Sequence, residues 1–534
     1  MLSILPINEK NKIFLYAILL ILLVLSVFIP DTRRITLFAA DASFYFDTVN
    51  RMRLGYQMFV DFNHGYGPFS FLLLWAGVEI YGMNMEAFTI AQALATLILC
   101  SLSIFVAYKR VHSFFTIVIV ITSWSLINNP TPLGYDISSQ FSVAFWYNNL
   151  GFILSGILLL QISSRKFSSK LHHEAVLEGL ILALLFTNKF QFLIFLFLPY
   201  FVITIMDIRY KVSWLYFGIA FISFLIVSNV QLLLAQTDFI AYIDQIQRIV
   251  SGSGYASVSG GNGKSFPLLH LFFFRYFIIN NYYVYYAFAL LVFMHVLQNE
   301  KLISWKSLFI ASAFISLLFV KISCNYHKYV LEVPFLEIIP LLYIAGKQWD
   351  LRKSALHYTL AALIALPALV YTKDLLMSHR YMARENTSLH FDYPPQDGFI
   401  HTHNPILDEK DAPEFLKQIE EWGYSRFVYD GLSLLKEVKD QNKTLFVCYT
   451  TDPITMHTNF AYVKGTSTWR TLTEGNIRQH CCDEEFLEQA DLVLITQYKP
   501  YTREIAEYIQ FFDPEISWNV YENENWVLLE KQSN

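Results

Sequence analysis

The sequence predicts a mostly α-helical, polytopic membrane protein, with about eleven transmembrane helices and a small extracytoplasmic α/β domain at its C-terminal end. Three observations predict this fold class. The 534-residue chain is 54% hydrophobic and 17% aromatic. Only 16% of its residues are charged, against roughly a quarter in soluble domains, and its mean hydropathy is +0.38. Apolar stretches of helix length recur up to about residue 372, and a more polar region follows them.

The apolar stretches define the predicted spans. We also expect the shorter run at 69–82 to be an interfacial helix, because 14 residues are too few to cross a bilayer upright. The predicted spans are 12–30, 86–108, 113–129, 144–163, 174–188, 190–206, 213–235, 273–297, 303–322, 329–346 and 355–372.

Charges in the short loops predict the orientation. Lysine and arginine recur in every second loop, as at Lys109 and Arg110 or at Arg209 and Lys211, and the N-terminal lysines lie on the same side. The positive-inside rule makes this face cytoplasmic. We therefore expect a plasma (inner) membrane protein with a cytoplasmic N-terminus and an extracytoplasmic C-terminal region.

Two external loops and the C-terminal region complete the predicted organisation. Loop 31–85 is rich in polar and aromatic residues, and loop 236–270 is predicted to be flexible because it ends in glycine-rich runs. Residues 1–372 form the predicted membrane domain, and 373–534 the α/β domain, with strands near 443–449 and 490–496 and a hairpin over 516–530. The acidic C-terminal region gives no support for nucleic-acid binding.

The segment from Asp41 to Pro68 carries the strongest functional pattern. Asp41 follows the first span, Tyr45 comes one helical turn later, and Gly55-Tyr56, Asp61 and Gly67-Pro68 lead into the short apolar helix. This arrangement resembles the first external loop of GT-C-type glycosyltransferases. It is most similar to the protein-mannosyltransferase and lipid A aminoarabinose-transferase group, and to their bacterial relatives of the RgtA/B/C/D-like type.

Two further segments resemble the same family. Glu178 to Lys189 is similar to a helix of small residues that ends in a lysine at the outer surface, and Tyr326-His-Lys-Tyr329 also has counterparts. The segment from Asp41 to Pro68 departs from the family pattern at Ala42, where a second acid is common, and at Gly67, where a double proline is common.

The resemblance implies transfer of a sugar from a polyprenyl-phosphate donor to a lipid, glycan or protein acceptor on the outer face, with inversion. The acceptor hydroxyl must lose a proton, and the resemblance makes Asp41 the candidate base. We expect Asp41 to be the N-cap of a helix starting at Ala42, where the helix dipole favours its ionised form. Cations at the surface, such as Lys189, are expected to stabilise the leaving phosphate.

The expected substrate-binding residues are Tyr45, Arg51, Asp61, His64, Tyr66, Lys189, Arg248, His327 and Lys328. A divalent metal ion is a possible cofactor, and Asp136 is its candidate ligand. Several of these residues also fit a structural role: Asp41 as an ordinary cap, Lys189 as a lysine whose ammonium extends to the interface, His64 as a surface turn residue, His327 and Lys328 as positive residues at a helix end, and Asp136 as a turn cap.

Two other functions fit the composition. A transporter or flippase of a lipid-linked saccharide would need polar residues along a path across the membrane and repeat symmetry between its halves. The sequence shows no convincing repeat, and its polar residues concentrate on one face. A non-catalytic membrane scaffold would tolerate any change at Asp41.

Overall fold

The structure is a computed structural model, mostly helical with a small sheet. It describes residues 9–28, 39–83, 86–108, 110, 113–128, 143–163, 171–209, 214–250, 424–438, 440, 442–449, 452–466, 482–497, 502–512 and 516–532. The four predicted spans between 273 and 372 lie outside these residues, as do Tyr326–Tyr329. The count of about eleven spans therefore stays a prediction.

The described helices at the predicted spans, and the one at 69–82, begin and end within a few residues of the predicted boundaries. By length and composition, two of the described helices, Ala87–Ala107 and Trp214–Leu234, are long and apolar enough to cross a membrane. The helices are α1 Glu9–Ser26, α2 Ala39–Arg53, α3 Phe69–Tyr81, α4 Ala87–Ala107, α5 Ser113–Asn128, α6 Val143–Ser163, α7 Leu171–Asn188, α8 Phe190–Arg209, α9 Trp214–Leu234 and α10 Phe239–Val250.

Helix α7 packs closely against its neighbours. A Cβ on Gly179 would lie 2.2 Å from the carbonyl oxygen of Ala220, so α7 and α9 meet backbone to backbone. The buried carboxylate of Glu178 accepts hydrogen bonds of 2.7 Å from the hydroxyls of Tyr200 and Tyr216, which ties α7 to α8 and α9. Small residues at contacts and polar bonds between helices are the means by which apolar helices associate in lipid.

The prediction of a flexible loop over 236–270 is wrong for the first part of that range, because residues 239–250 form helix α10. Asp238 Oδ1 accepts a hydrogen bond from the amide of Ala241, as an N-cap does. Tyr242 is buried, and its hydroxyl donates to the carbonyl of Phe186 at 2.7 Å. The glycine-rich residues 251–270 lie outside the described part of the chain.

The C-terminal region forms a five-stranded sheet flanked by helices. The described elements are α11 Tyr424–Leu435, β1 Thr444–Cys448, a 3₁₀ turn Thr455–His457, β2 Ala461–Tyr462, α12 Glu484–Gln489, β3 Leu492–Thr496, α13 Thr502–Phe512, β4 Trp518–Glu522 and β5 Trp526–Lys531. The apolar runs predicted four of these strands, and β2 was not predicted. The strand order is β2-β1-β3-β5-β4; β2, β1 and β3 are parallel, and β5 is antiparallel to both β3 and β4. Side chains of β3 are buried throughout.

Candidate functional site

The segment between α2 and α3, residues 54–68, is here called the α2–α3 loop. Its first half is a tight turn in which the amide of Phe59 donates to the carbonyl of Phe62 at 2.9 Å. Phe59 has a φ of 68°, a left-handed conformation that costs energy for an aromatic residue. Its ring is buried and stacks on Tyr242 of α10, with centroids 4.9 Å apart. This packing offsets the strain and fixes the loop against the helices.

The second half of the loop lies against the end of α7. The amide of Gly67 donates to the carbonyl of Asn188 at 3.2 Å, and a Cβ on Gly67 would lie 2.2 Å from the carbonyl oxygen of Thr187. No real Cβ atom is found so close to backbone. Glycine is therefore required at position 67 because the loop touches α7 through its backbone.

His64 is buried beside this contact. Its ring stacks on Phe44, with centroids 4.7 Å apart, and meets the edge of Phe71 at 4.4 Å. The amide of Tyr66 donates to Nδ1 at 2.9 Å, so the proton of the neutral ring is assigned to Nε2. Burial lowers the pKa of His64 to about 3, which makes the ring a neutral hydrogen-bond donor at physiological pH rather than a cation.

Lys189 lies between α7 and α8 and is 4% exposed. Its ammonium donates to the Asn148 side-chain oxygen at 3.2 Å and lies 5.3 and 5.4 Å from the ring centroids of Tyr66 and Tyr147. The hydroxyl of Tyr147 donates to that of Tyr66 at 2.9 Å. The faces of aromatic rings stabilise a cation that is shielded from water. We call Tyr66, Tyr147, Asn148 and Lys189 the lysine cluster.

Helix α2 reaches the lysine cluster through Tyr45. This tyrosine is fully buried, its hydroxyl is 3.0 Å from Ser70 Oγ, and its ring is nearly parallel to that of Tyr147 at 6.1 Å. Asp41 lies one helical turn before Tyr45 on α2. The predicted N-cap position of Asp41 is wrong, because Ala39 and Ala40 before it are already helical.

Arg51 lies away from the lysine cluster, at the junction between α2 and the C-terminal region. Its Nε donates to Asp47 at 3.0 Å, its Nη1 donates to Thr466 Oγ1 at 3.0 Å, and its Nη2 is 3.6 Å from Asp452. The guanidinium carbon is 4.0 Å from the ring centroid of Tyr462. Burial raises the pKa of Asp47 to about 7, although the positive charge of Arg51 acts in the opposite direction. These contacts give Arg51 a structural role, because they join α2 to the C-terminal region.

Asp61 also belongs to this junction. Its carboxylate accepts from the amide of Gln57 at 2.9 Å and pairs with Lys464 at 2.8 Å. Partial burial opposes its ionisation, but the Gln57 amide and the Lys464 ammonium lower its pKa. Both predicted substrate contacts, Arg51 and Asp61, therefore face the C-terminal region.

The remaining predicted residues are less fully placed. Arg248 lies on α10, of which the described side chains end at position 247. His327, Lys328 and Asp136 lie outside the described residues, and within those residues no group of three or more metal-ligating side chains is found. The prediction of a metal ion stays a prediction.

Sequence reasoning missed two members of the cluster, Tyr147 and Asn148. The signal for them was present, because Asn148 and Asn149 interrupt the apolar span 144–163, and polar residues inside a span are functional candidates.

An apolar cavity of about 800 Å³ lies between α3, α4, α7 and α9. Along α7 it extends from His173 to Leu184, which is about 16 Å at the rise of an α-helix. Phe69, the first residue after the α2–α3 loop, lines it, and so does Gln231, whose side-chain oxygen accepts from Thr187 Oγ1 at 2.8 Å. One end of the cavity is therefore next to the loop and to the end of α7 that precedes Lys189.

Comparisons with known proteins give similarity to solved structures. The chain is similar to ArnT from Cupriavidus metallidurans bound to undecaprenyl phosphate (10% identity, 98% of each chain covered, TM-score 0.48). It is similar to the apo state of the same ArnT (11% identity, 97% and 98% covered, TM-score 0.46). It is also similar to the oligosaccharyltransferase of Archaeoglobus fulgidus in complex with Zn and sulfate (12% identity, 96% of this chain and 73% of that chain, TM-score 0.44). These proteins are of the GT-C kind that the sequence resembles. No protein-family model and no curated protein matches the chain.

Replacing Gly67 tests the backbone contact between the loop and α7. We expect Gly67→Ala to lower the free energy of unfolding by about 1–3 kcal/mol, because its methyl group collides with the Thr187 carbonyl. The measurement is thermal unfolding in detergent. Gly218→Ala on α9 is the matched control, since a Cβ there meets no atom within 4 Å. Equal melting temperatures for the two variants would contradict the close approach.

The neutral state of His64 predicts a pH dependence. Below about pH 6.5 the unfolded chain protonates this imidazole, whereas the folded chain keeps it neutral down to about pH 3. The folded state therefore loses stability as the pH falls through this window. His64→Asn keeps an acceptor for the Tyr66 amide but cannot titrate. We expect its melting temperature to fall less than that of the parent between about pH 7.5 and 5; parallel curves would refute a buried neutral imidazole.

Proposed function

We propose that the chain is a membrane glycosyltransferase that moves a sugar from a polyprenyl-phosphate donor to an acceptor on the outer face. The observation that carries the proposal is the buried ammonium of Lys189 close to an apolar cavity. A polyprenyl-phosphate sugar has the same two parts, a long hydrocarbon chain and a charged phosphate. The resemblance in Asp41–Pro68 supports the same class of donor.

The cavity suits the hydrocarbon chain. Leucines and two phenylalanines from α3, α4 and α7 line it, among them Leu72, Leu102, Phe105 and Leu180. Burying isoprenoid carbon there releases water or lipid from apolar surface. Because the cavity lies next to Phe69 and Leu184, a chain within it would place its phosphate towards the α2–α3 loop and Lys189.

The lysine cluster suits the phosphate. Lys189 is a point charge whose ammonium is held by two tyrosine rings and an amide oxygen. In such a low-dielectric place a charge stabilises an anion more strongly than it would in water. Its task in the reaction is to stabilise the phosphate that leaves.

The chemical step is a single displacement. The acceptor hydroxyl oxygen attacks the anomeric carbon while the bond from that carbon to the phosphate oxygen breaks. The polyprenyl phosphate leaves with the bonding electrons, and the configuration is inverted. The hydroxyl proton passes to the carboxylate of Asp41 on α2. His64 and Tyr66 are the candidates for orienting sugar or acceptor.

Removal of the ammonium tests the phosphate site. We expect Lys189→Met to lower the rate of transfer on the order of 100-fold, as loss of a transition-state charge partner does. It should also weaken the binding of polyprenyl phosphate alone. The measurements are release of polyprenyl phosphate from a panel of synthetic polyprenyl-phosphate sugars, and native mass spectrometry of the complex.

Arg53→Met is the matched control for this test. Arg53 is a cation on α2 that pairs with Glu79 at the exposed surface, where ion pairs contribute little. If the two variants bound polyprenyl phosphate equally, the phosphate role of Lys189 would be refuted.

Asp41→Asn tests the base. We expect it to abolish detectable transfer while polyprenyl phosphate still binds, because the amide keeps the size of the carboxylate but cannot accept the proton. Asp244→Asn, at an exposed position on α10, is the control for loss of an acid. Full activity of the Asp41 variant would exclude it as the base, and inactivity of the parent with every donor would leave the transferase proposal without support.

A further inference from the structure

The C-terminal region makes backbone contacts with the α2–α3 loop. The amide of Asn63 donates to the carbonyl of Thr466 at 3.0 Å, and the amide of Gly465 donates to the carbonyl of Asp61 at 2.7 Å. The side-chain amide of Asn63 donates to the carbonyl of Gly465 at 3.0 Å. Residues 61 and 63 are thus joined to the segment after β2 by two backbone hydrogen bonds and one side-chain hydrogen bond. We call residues 464–466 the docking turn.

These bonds set the register of the loop, because they join residues 61 and 63 to particular residues of the docking turn. A shift of the loop by one residue would break them and displace the side chains that follow. Asn63 faces the docking turn, and the next residue, His64, is buried against Phe44 and Phe71 of the helices. Two residues later, Tyr66 contacts Lys189 and Tyr147.

The charged contacts of the junction hold the docking turn in place. Arg51 bonds Thr466 through its Nη1, and the hydroxyl of Thr466 donates in turn to the carbonyl of Val463 at 3.0 Å. Lys464 pairs with Asp61 at 2.8 Å. Arg51 is 2% exposed and is also held by Asp47, so the turn is tied to the body of α2 and to the loop at once.

We propose that the docking turn is a positioning element of the site, and that it sets the register that places His64 against Phe44 and Phe71 and places Tyr66 beside Lys189. Arg51, Asn63 and Thr466 are then positioning residues that act through the loop. The purpose assigned to this register rests on the proposed function. The register itself is a property of the fold and is measurable without any substrate.

Hydrogen exchange of the full chain in detergent tests the proposal. Thr466→Val removes the hydroxyl with little change of size, and Asn63→Ala removes the side-chain bond to Gly465. We expect amide exchange in residues 57–68 to become about five- to tenfold faster in each variant, as loss of one hydrogen bond of about 1 kcal/mol implies. Exchange in β1 and β3, and the melting temperature, should stay near the parent values.

Arg53→Met is the control, because it changes the same helix without touching the docking turn. Unchanged amide exchange in residues 57–68 of both Thr466→Val and Asn63→Ala would overturn the proposal. So would faster exchange spread evenly over the sheet with a lower melting temperature, since that pattern indicates a merely structural contact.

Transfer activity gives a second readout. With polyprenyl-phosphate sugars, we expect kcat of Thr466→Val to fall about five- to tenfold while the donor KM stays within about twofold, because the loop is displaced but the cavity is unchanged. A change in KM alone would overturn the positioning role. If the parent shows no transfer, the proposed function fails, and the exchange measurements still decide whether the docking turn sets the register.

Discussion

Backbone contact between the α2–α3 loop and its two neighbours is the constraint on which the site depends. On one side Gly67 lies so close to the Thr187 carbonyl that no larger residue fits. On the other side Asp61 and Asn63 bond the backbone of the docking turn. Because both contacts use the backbone, they define the path of the loop closely. Its side chains reach the end of α7 as a consequence of that path.

The energetics of Lys189 follow from the same arrangement. An ammonium loses hydration when it is buried, and this cost is several kcal/mol unless other groups replace the water. Tyr66, Tyr147 and Asn148 supply ring faces and an amide oxygen around it. Tyr66 comes from the loop and Tyr147 from α6, so the environment of the charge exists only when loop and helices are packed together.

The contrast between Arg51 and Lys189 shows how far sequence reasoning on charged residues reaches. Both are cations that the sequence places near the outer face, and both were predicted to bind substrate. Arg51 contacts Asp47 on the same helix, and it also contacts Thr466 and Asp452, which lie more than four hundred residues further along the chain. No local pattern around position 51 indicates that pairing, since it depends on how the C-terminal region docks. The position of Lys189 at the end of an apolar helix could be predicted, because it is a local feature of the sequence; its contact with substrate stays a prediction.

Most of the elements follow from local sequence patterns. Apolar length predicted the described helices between 9 and 234, apart from α2, to within a few residues. Apolar runs bounded by turns predicted β1, β3 and the β4–β5 hairpin, because these patterns reflect local burial. It missed α10, whose amphipathic period precedes a glycine-rich run that suggested a loop. Tertiary structure alone decided which residues meet: Gly67 with Thr187, Tyr66 and Tyr147 with Lys189, and Asp61 with Lys464. These contacts join distant parts of the chain, and packing rather than any local period selects them.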